Sequence, residues 1–324
     1  MKSFIIAEND AHQRLDKFLK KLLPAAALSL IYKLNRKNAI KVNRKREDNE
    51  YKLQPGDQVE VFLRDEEYDR LSLAKPVESL REGGQRLDPK DIVYEDAELL
   101  IVNKNPRTNV HPGDHKTKEV SLIAQVQDYL GPKIASLTFK PSLIHRIDRD
   151  TSGIIMIAKT KRSLDHMLRE LQENRIEKTY LAICIGSPEE KSGTIRKKLR
   201  RLDEAINTNK IVIDETGGQK AITHYQVIKE GIKGKYSLLE CRLETGRMHQ
   251  IRVHLASIGC PILGDDTYGD KRENAFAKRE YGIDRQLLHA KHTSFLHPTK
   301  KVKVTFEARL KGDMEGLIEQ NKAD

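Results

Sequence analysis

Residues 145–153 read His-Arg-Ile-Asp-Arg-Asp-Thr-Ser-Gly and run directly into Ile154-Ile155-Met156-Ile157-Ala158. This junction constrains the fold more than any other stretch. The five apolar residues read as a buried strand. Two acids and two arginines therefore sit in a polar turn at the lip of a core, where an unpaired charge is costly. Charges in such a place pair with something or act on something. Arg146 and Arg149 put a cation on each side of Asp148. A structural ion-pair cluster is the plain alternative, and the rest of the chain weighs against it.

The chain has 324 residues, enough for a large domain and a small appendage, and its net charge of +11 favours a polyanionic partner. No stretch approaches the roughly eighteen consecutive apolar residues of a membrane span. The opening Met-Lys-Ser-Phe-Ile-Ile-Ala has too short an apolar core for a signal peptide. Cys184, Cys241 and Cys260 have no metal-type spacing, and an odd count suits reduced thiols in a cytoplasm. Cys184 and Cys241 lie in apolar, alternating segments and are expected to be buried.

Residues 1–64 hold fourteen Lys or Arg against eight Asp or Glu. Leu15, Phe18, Leu19 and Leu22 form one helical face, ended by Pro24. A second helix turns Ile31 and Leu34 inward, and a small hairpin follows around Ala39–Asn43 and Val59–Leu63. The cluster Arg36, Lys37, Arg44, Lys45 and Arg46 sits at the helix-to-strand junction, a pattern suited to RNA phosphates. A solvated charged face is the ordinary alternative. Residues 65–90 carry no sustained period, seven acids against five bases, and Gly83-Gly84, which predicts a flexible linker and independently moving domains. From 91 to 324, short β-like runs dominate, with helices predicted near 120–129 and 161–173. That order predicts an α+β fold with a mixed, mostly antiparallel sheet. The cation-rich segment Arg196–Lys210 reads as a phosphate-gripping loop or, in the ordinary alternative, an exposed hairpin.

The nine-residue run resembles the signature of RluA-type pseudouridine synthases, enzymes that isomerise uridine in RNA. Further blocks fall in that family's order: residues 92–112, Lys178-Thr179-Tyr180-Leu181-Ala182, and residues 244–270. The first 64 residues resemble the alpha-L RNA-binding motif shared with a ribosomal small-subunit protein. The leading domain, the Arg-Asp-Thr-Ser-Gly form of the signature and the tail Leu287–Pro298 look most like the RluC-type enzymes of large-subunit ribosomal RNA. A tRNA enzyme of the same family and a non-catalytic RNA-binding factor are the alternatives. A zinc deaminase is disfavoured, since its His-x-Glu and Pro-Cys-x-x-Cys elements are absent.

The resemblance implies a monomer that acts on RNA, in ribosomal RNA or a pre-ribosomal particle, with no cofactor and no metal. It makes Asp148 the essential aspartate, acting on the ribose as nucleophile or as base, with Asp150 the obvious rival. It places Arg252 against that carboxylate, where a bidentate guanidinium is expected. It makes Tyr180 the platform for the flipped uracil, with a phenol able to relay a proton. Arg146 is expected to fill the gap left by the extruded base, and Arg149 and Arg247 to touch RNA. Thr151-Ser152-Gly153 is expected to form a tight turn that aims Asp148. The segment 248–255 is read as a strand, which puts His249 and His254 on opposite faces and argues against a shared metal ion. One departure stands out: where the family has Asn-Lys-Pro-x-Gly, this chain has Asn103-Lys104-Asn105-Pro106-Arg107. The geometry of that loop is thereby in question.

Overall fold

The computed structural model describes residues 1–72, 86–112, 120–131, 134, 136–202 and 210–319. The Pro76 and Gly83-Gly84 part of the predicted linker, and residues 203–209 of the cation-rich segment, lie outside the described residues.

The first unit packs helices α1 (Leu15–Leu22) and α2 (Leu28–Arg36) on a small antiparallel sheet. Its strands are β1 (Lys2–Ile5), β2 (Ile40–Val42) and β3 (Gln58–Val61), in the order β1-β3-β2. The expected face is the buried one: Leu15, Phe18 and Leu19 are completely enclosed, against Ile31, Leu34, Ile40, Val42, Val59 and Val61. Beyond β2 the chain reverses through Asn43 and Arg44, both left-handed at φ +51° and +66°, the mirror-image turn that suits a hairpin's twist. Asn43 is held there by donating to Asp57 Oδ1 and accepting from the Gln58 N–H. Arg36, Lys37, Arg44, Lys45 and Arg46 are all exposed around this turn.

The predicted linker does not begin at 65. Asp65–Ser72 forms a helix, α3, whose Leu71 is buried in the core of the first unit and accepts from the Ala25 N–H through its backbone. Nor are the two units without contact. Asp10, fully buried, accepts from Ser136 Oγ, Leu137 N, Thr138 N and Thr138 Oγ1 at 2.7–2.9 Å. A carboxylate with four partners across that seam ties the small unit to the large one.

The second unit is built on one sheet. Its strands are β4 (Ile92–Glu95), β5 (Leu99–Lys104), β6 (Ser142–Leu143), β7 (Ser152–Ala158), β8 (Glu177–Ile185), β9 (Ser192–Arg201), β10 (Ile211–Ile213), β11 (Gln219–Ile232), β12 (Tyr236–Leu243), β13 (Leu288–Leu296) and β14 (Lys303–Glu307). Helices α4 (Leu122–Leu130), α5 (Lys161–Gln172), α6 (Gln250–Ser257), α7 (Lys271–Tyr281) and α8 (Gly312–Glu319) cover it. The order is β10-β9-β11-β12-β8-β13-β7-β5-β4, with β14 on β13 and β6 on β7. Among the described strands, every pairing but β13 with β7 is antiparallel. The expected α+β class and mostly antiparallel sheet are thus observed.

Strands β5 and β7 are buried along their whole length, because each is covered on both faces. Leu99 and Ile101 join one core with Met156 and Met167, while the alternate Leu100 and Val102 join another with Val126 and Leu130 of α4. Cys184 and Cys241 are fully buried in the first of these cores. The cation-rich segment is a strand as far as Arg201 and pairs antiparallel with β10, as the hairpin alternative expects: Ile195 and Leu199 point inward while Arg196, Lys198 and Arg200 point out. Among the described residues no helix is long and apolar enough to cross a membrane.

The largest correction is α6. Residues 248–255 read as a strand because Ile251, Val253 and Leu255 alternate, but Gln250–Ser257 is helical. Ile251 and Leu255, one turn apart, enter the main core, while Val253 packs on the opposite side with Leu199, Ile211 and Ala221. A helix buried on two sides mimics the period of a strand.

Candidate active site

Strands β6 and β7 hold the signature loop between them, and its ends are pinned. His145 Nε2 accepts from the Met156 N–H at 3.2 Å. Burial pushes this imidazole down to about 3, so it is a neutral staple on β7. Thr151 N donates to the Asp148 carbonyl at 3.2 Å, closing a turn over Asp148–Thr151; the turn expected at Thr151-Ser152-Gly153 is displaced, since Ser152 and Gly153 already belong to β7. Gly153 follows with φ +108°, at the parallel pairing with Ala290, where a Cβ would stand 2.2 Å from the Ala290 carbonyl oxygen. Only glycine fits there.

The loop at 103–108 braces the signature from behind. Lys104 is 1 % exposed and donates to the carbonyls of Asn105, Thr108 and Arg149 at 2.7–3.0 Å. Burial pushes its ammonium down to about 7. Arg107 stands at the position of the family's glycine and adopts φ +60°, the left-handed backbone that glycine would take, while its side chain pairs with Asp284. The departure in sequence keeps the turn.

At the floor of the cleft Arg252 reaches up from α6 and divides its donors between two acids. Nε and Nη2 grip Asp265 at 2.7 and 2.9 Å, and Nη1 donates to Asp148 Oδ2 at 2.9 Å. The bidentate pair is thus with Asp265, and Asp148 receives one N–H. Asp265 is fully buried, and its Oδ1 also accepts from the Thr267 and Tyr268 N–H groups. Burial opposes the guanidinium charge, but the bonds and charges of Asp265 and Asp148 outweigh it and hold Arg252 above its ordinary value. An arginine held this firmly is a fixed cation at the base of the cleft.

Tyr180, on β8, lines the same cleft as Asp148, with Arg146, Arg247 and His249 around it. Burial, and then the charge of Asp148, push its phenol up, so it keeps its proton. Asp150 turns instead toward Arg149, at 3.1 Å, and neither lines the cleft. Arg146 and Arg247 are exposed at the rim. His249 and His254 serve different neighbours: His249 Nδ1 meets the Tyr268 hydroxyl and His254 Nδ1 meets Thr223 Oγ1, each at 2.9 Å. Among the described residues no group of three or more His, Cys, Asp or Glu is arranged to hold a metal ion.

Sequence reasoning missed Asp265 and Tyr268. Both lie in Gly264-Asp265-Asp266-Thr267-Tyr268-Gly269, a stretch of the last resembling block to which no role was assigned.

A carboxylate, a fixed guanidinium and a buried tyrosine thus meet in one cleft with two arginines at its rim. The sequence profile described as RNA pseudouridylate synthase matches residues 98–257, which hold the signature loop, Tyr180 and Arg252. A Vibrio cholerae protein named ribosomal large subunit pseudouridine synthase C is 35% identical over 97% of this chain and 94% of its own.

The chain belongs to the RNA pseudouridine synthase family.

A ribosomal large subunit pseudouridine synthase D of Zymomonas mobilis is 37% identical over 71% of this chain and 72% of its own. Among solved structures, human RNA pseudouridylate synthase domain containing 4 superposes with a TM-score of 0.58 at 21% identity, covering 72% of this chain and 93% of that one. That likeness extends the shared fold beyond closely related sequences. This isomerase family is the one that the signature, Tyr180 and the 244–270 block resemble.

Proposed function

We propose that this protein converts uridines of large-subunit ribosomal RNA to pseudouridine, and that Asp148 is the group that acts on the ribose. The observation that carries the assignment is the Asp265–Arg252–Asp148 chain: a buried acid fixes an arginine, and the arginine fixes one oxygen of an acid in the cleft. In the reaction the bond from uracil N1 to ribose C1′ breaks and a bond from C5 to C1′ forms. The hydrogen leaves C5 and one is gained at N1, so the balance needs no outside electron, leaving group, metal or cofactor. A stacked nucleotide hides its sugar carbon, so the uridine must first leave the helix.

Asp148 then attacks C1′ or removes the proton of the neighbouring ribose carbon. Arg252 keeps the carboxylate directed throughout. Tyr180 offers its ring to the freed uracil, and its retained phenol proton makes it a donor rather than a phenolate base. Arg146 takes the space of the extruded base, while Arg149, Arg247 and the cluster Arg36, Lys37, Arg44, Lys45 and Arg46 hold phosphates. Residues 1–72 serve as an alpha-L-type RNA-binding domain and 91–324 as the catalytic domain. The protein acts as a monomer in the cytoplasm, on ribosomal RNA or a pre-ribosomal particle.

Pseudouridine mapping in a strain that lacks the protein tests the reading. Sites in the large-subunit RNA should disappear and return with the wild-type chain, but not with Asp148→Asn. Loss confined to tRNA would overturn the choice of substrate. No loss in any RNA class would overturn the enzymatic role.

A further inference from the structure

His249 faces Asp148 without a part in the reaction described above. It opens α6 with φ +53°, a left-handed backbone that a histidine adopts at a cost. Its Nδ1 is 2.9 Å from the Tyr268 hydroxyl, and that hydroxyl accepts from the Ile211 N–H at 2.7 Å. Its Nε2 is 3.8 Å from Asp148 Oδ2, the same oxygen that receives Arg252 Nη1. Two elements distant in sequence, the start of β10 and the loop before α7, thus converge to hold one imidazole.

The partners favour one of the two ring tautomers. Burial keeps the imidazole below its ordinary range, with Asp148 pulling against burial, Arg252 adding to it and Asp265 again pulling against it. The neutral ring has a single N–H. The Ile211 amide can only donate, so it takes a lone pair of the Tyr268 oxygen. The phenol proton is then available to Nδ1, and with the phenol as donor in that bond the ring proton resides on Nε2, the nitrogen that looks at Asp148.

We propose that His249 is a positioning residue for the reaction: its Nε2–H joins the Arg252 Nη1–H on Oδ2 of Asp148 and leaves Oδ1 as the oxygen that meets the ribose. The inference rests on the reading of Asp148 as the reacting group. A single donor leaves a carboxylate broad freedom about its terminal torsion, and a second donor on the same oxygen removes it. The 3.8 Å separation is about an ångström longer than a hydrogen bond, so the proposed contact forms only when the site tightens around substrate. Contacts of this kind tighten when a substrate fills the site.

Two measurements on the full-length protein test this. Nitrogen-15 NMR of histidine-labelled protein, with the His249 signals assigned by their loss in His249→Gln, should show His249 neutral and protonated on Nε2. In Tyr268→Phe the same signals should move toward a mixture of tautomers. Single-turnover pseudouridine formation should fall about ten- to a hundredfold in His249→Ala, with RNA affinity unchanged. His249→Gln, whose amide N–H reaches the place of Nε2–H, should recover most of that loss.

A wild-type His249 protonated on Nδ1 overturns the proposal. So does a folded His249→Ala whose single-turnover rate stays within about twofold of wild type. If His249→Ala does not fold, the tautomer and the His249→Gln rate decide. Asp148→Asn is run alongside: activity in that variant defeats the reading of Asp148 itself, whereas the tautomer measurement is independent of it.

Discussion

Substituting Asp265→Asn probes the support beneath the catalytic carboxylate. The side chain keeps its size and loses its charge. Four donors converge on Asp265: Arg252 Nε on Oδ2, and Arg252 Nη2 with the Thr267 and Tyr268 N–H groups on Oδ1. An asparagine oxygen placed at Oδ1 keeps three of them, and its NH2 then faces the Arg252 Nε–H, donor against donor. Arg252 is 6 % exposed, so solvent does not replace the lost charge. Removing one partner of a buried pair costs about 3–5 kcal/mol. For a domain of this size each kcal/mol lowers Tm by roughly 2–4 °C, so the melting temperature should fall by about 6–20 °C. Activity should fall with it, because Arg252 no longer has a fixed place from which to hold Asp148. A double variant, Asp265→Leu with Arg252→Met, should regain part of the stability and none of the activity, since an apolar pair can replace a buried ion pair in packing but not in chemistry. Thermal melting by circular dichroism and a rate on RNA suffice. A Tm within about a degree of wild type for Asp265→Asn would refute the claim that Arg252 depends on Asp265.

Gly153→Ala should destabilise the catalytic domain by about 3 kcal/mol or more, as its Cβ meets the Ala290 carbonyl on a left-handed backbone; urea unfolding measures it. Asp10→Ala strands the Ser136–Thr138 donors, so the two units should separate more readily and residues 136–138 should exchange amide hydrogens faster. Deleting residues 1–72 should weaken RNA binding and flatten its salt dependence, and an unchanged slope would mean that the Arg36–Arg46 cluster is only solvated. Asp96 lies against burial but is held down to about 2 by the Tyr94 hydroxyl, the Leu99 and Glu98 N–H groups and Lys300. Its folded value is depressed, so its stabilising contribution is complete above about pH 4 and is lost as pH falls toward 2; Asp96→Asn should flatten the acid limb of a stability–pH curve in that window.

What was legible in the sequence had a one-dimensional cause. Ile154–Ala158 declares a buried strand because it has no polar residue, and Leu15, Phe18, Leu19 and Leu22 declare a helix by spacing alone. Asp148, Tyr180 and Arg252 were named from the resemblance and are found around one cleft. What was illegible depended on partners that only folding brings together. The alternation of Ile251, Val253 and Leu255 reads as a strand until two separate cores are seen to flank α6. Asp265 is thirteen residues from the arginine it fixes, and nothing in its local sequence marks it among the neighbouring acids. Strand β13 carries little sequence signal: Leu288 and Ala290 share one parity with His292 and Ser294, and His289, Lys291 and Thr293 occupy the other, a pattern too polar for a central strand by composition. Its burial comes from β14, β7 and β8 on either side.

The most direct test of the central claim is tritium release from RNA labelled at uracil C5, since every conversion to pseudouridine frees that hydrogen. Wild-type protein, Asp148→Asn and Asp150→Asn are compared under single-turnover conditions on large-subunit ribosomal RNA, with melting temperature and RNA affinity measured on the same samples. Asp148→Asn should melt and bind as wild type does and release no tritium above background, while Asp150→Asn should retain activity. Release by Asp148→Asn within about tenfold of wild type would show that the carboxylate held by Arg252 is not the group that acts on the ribose.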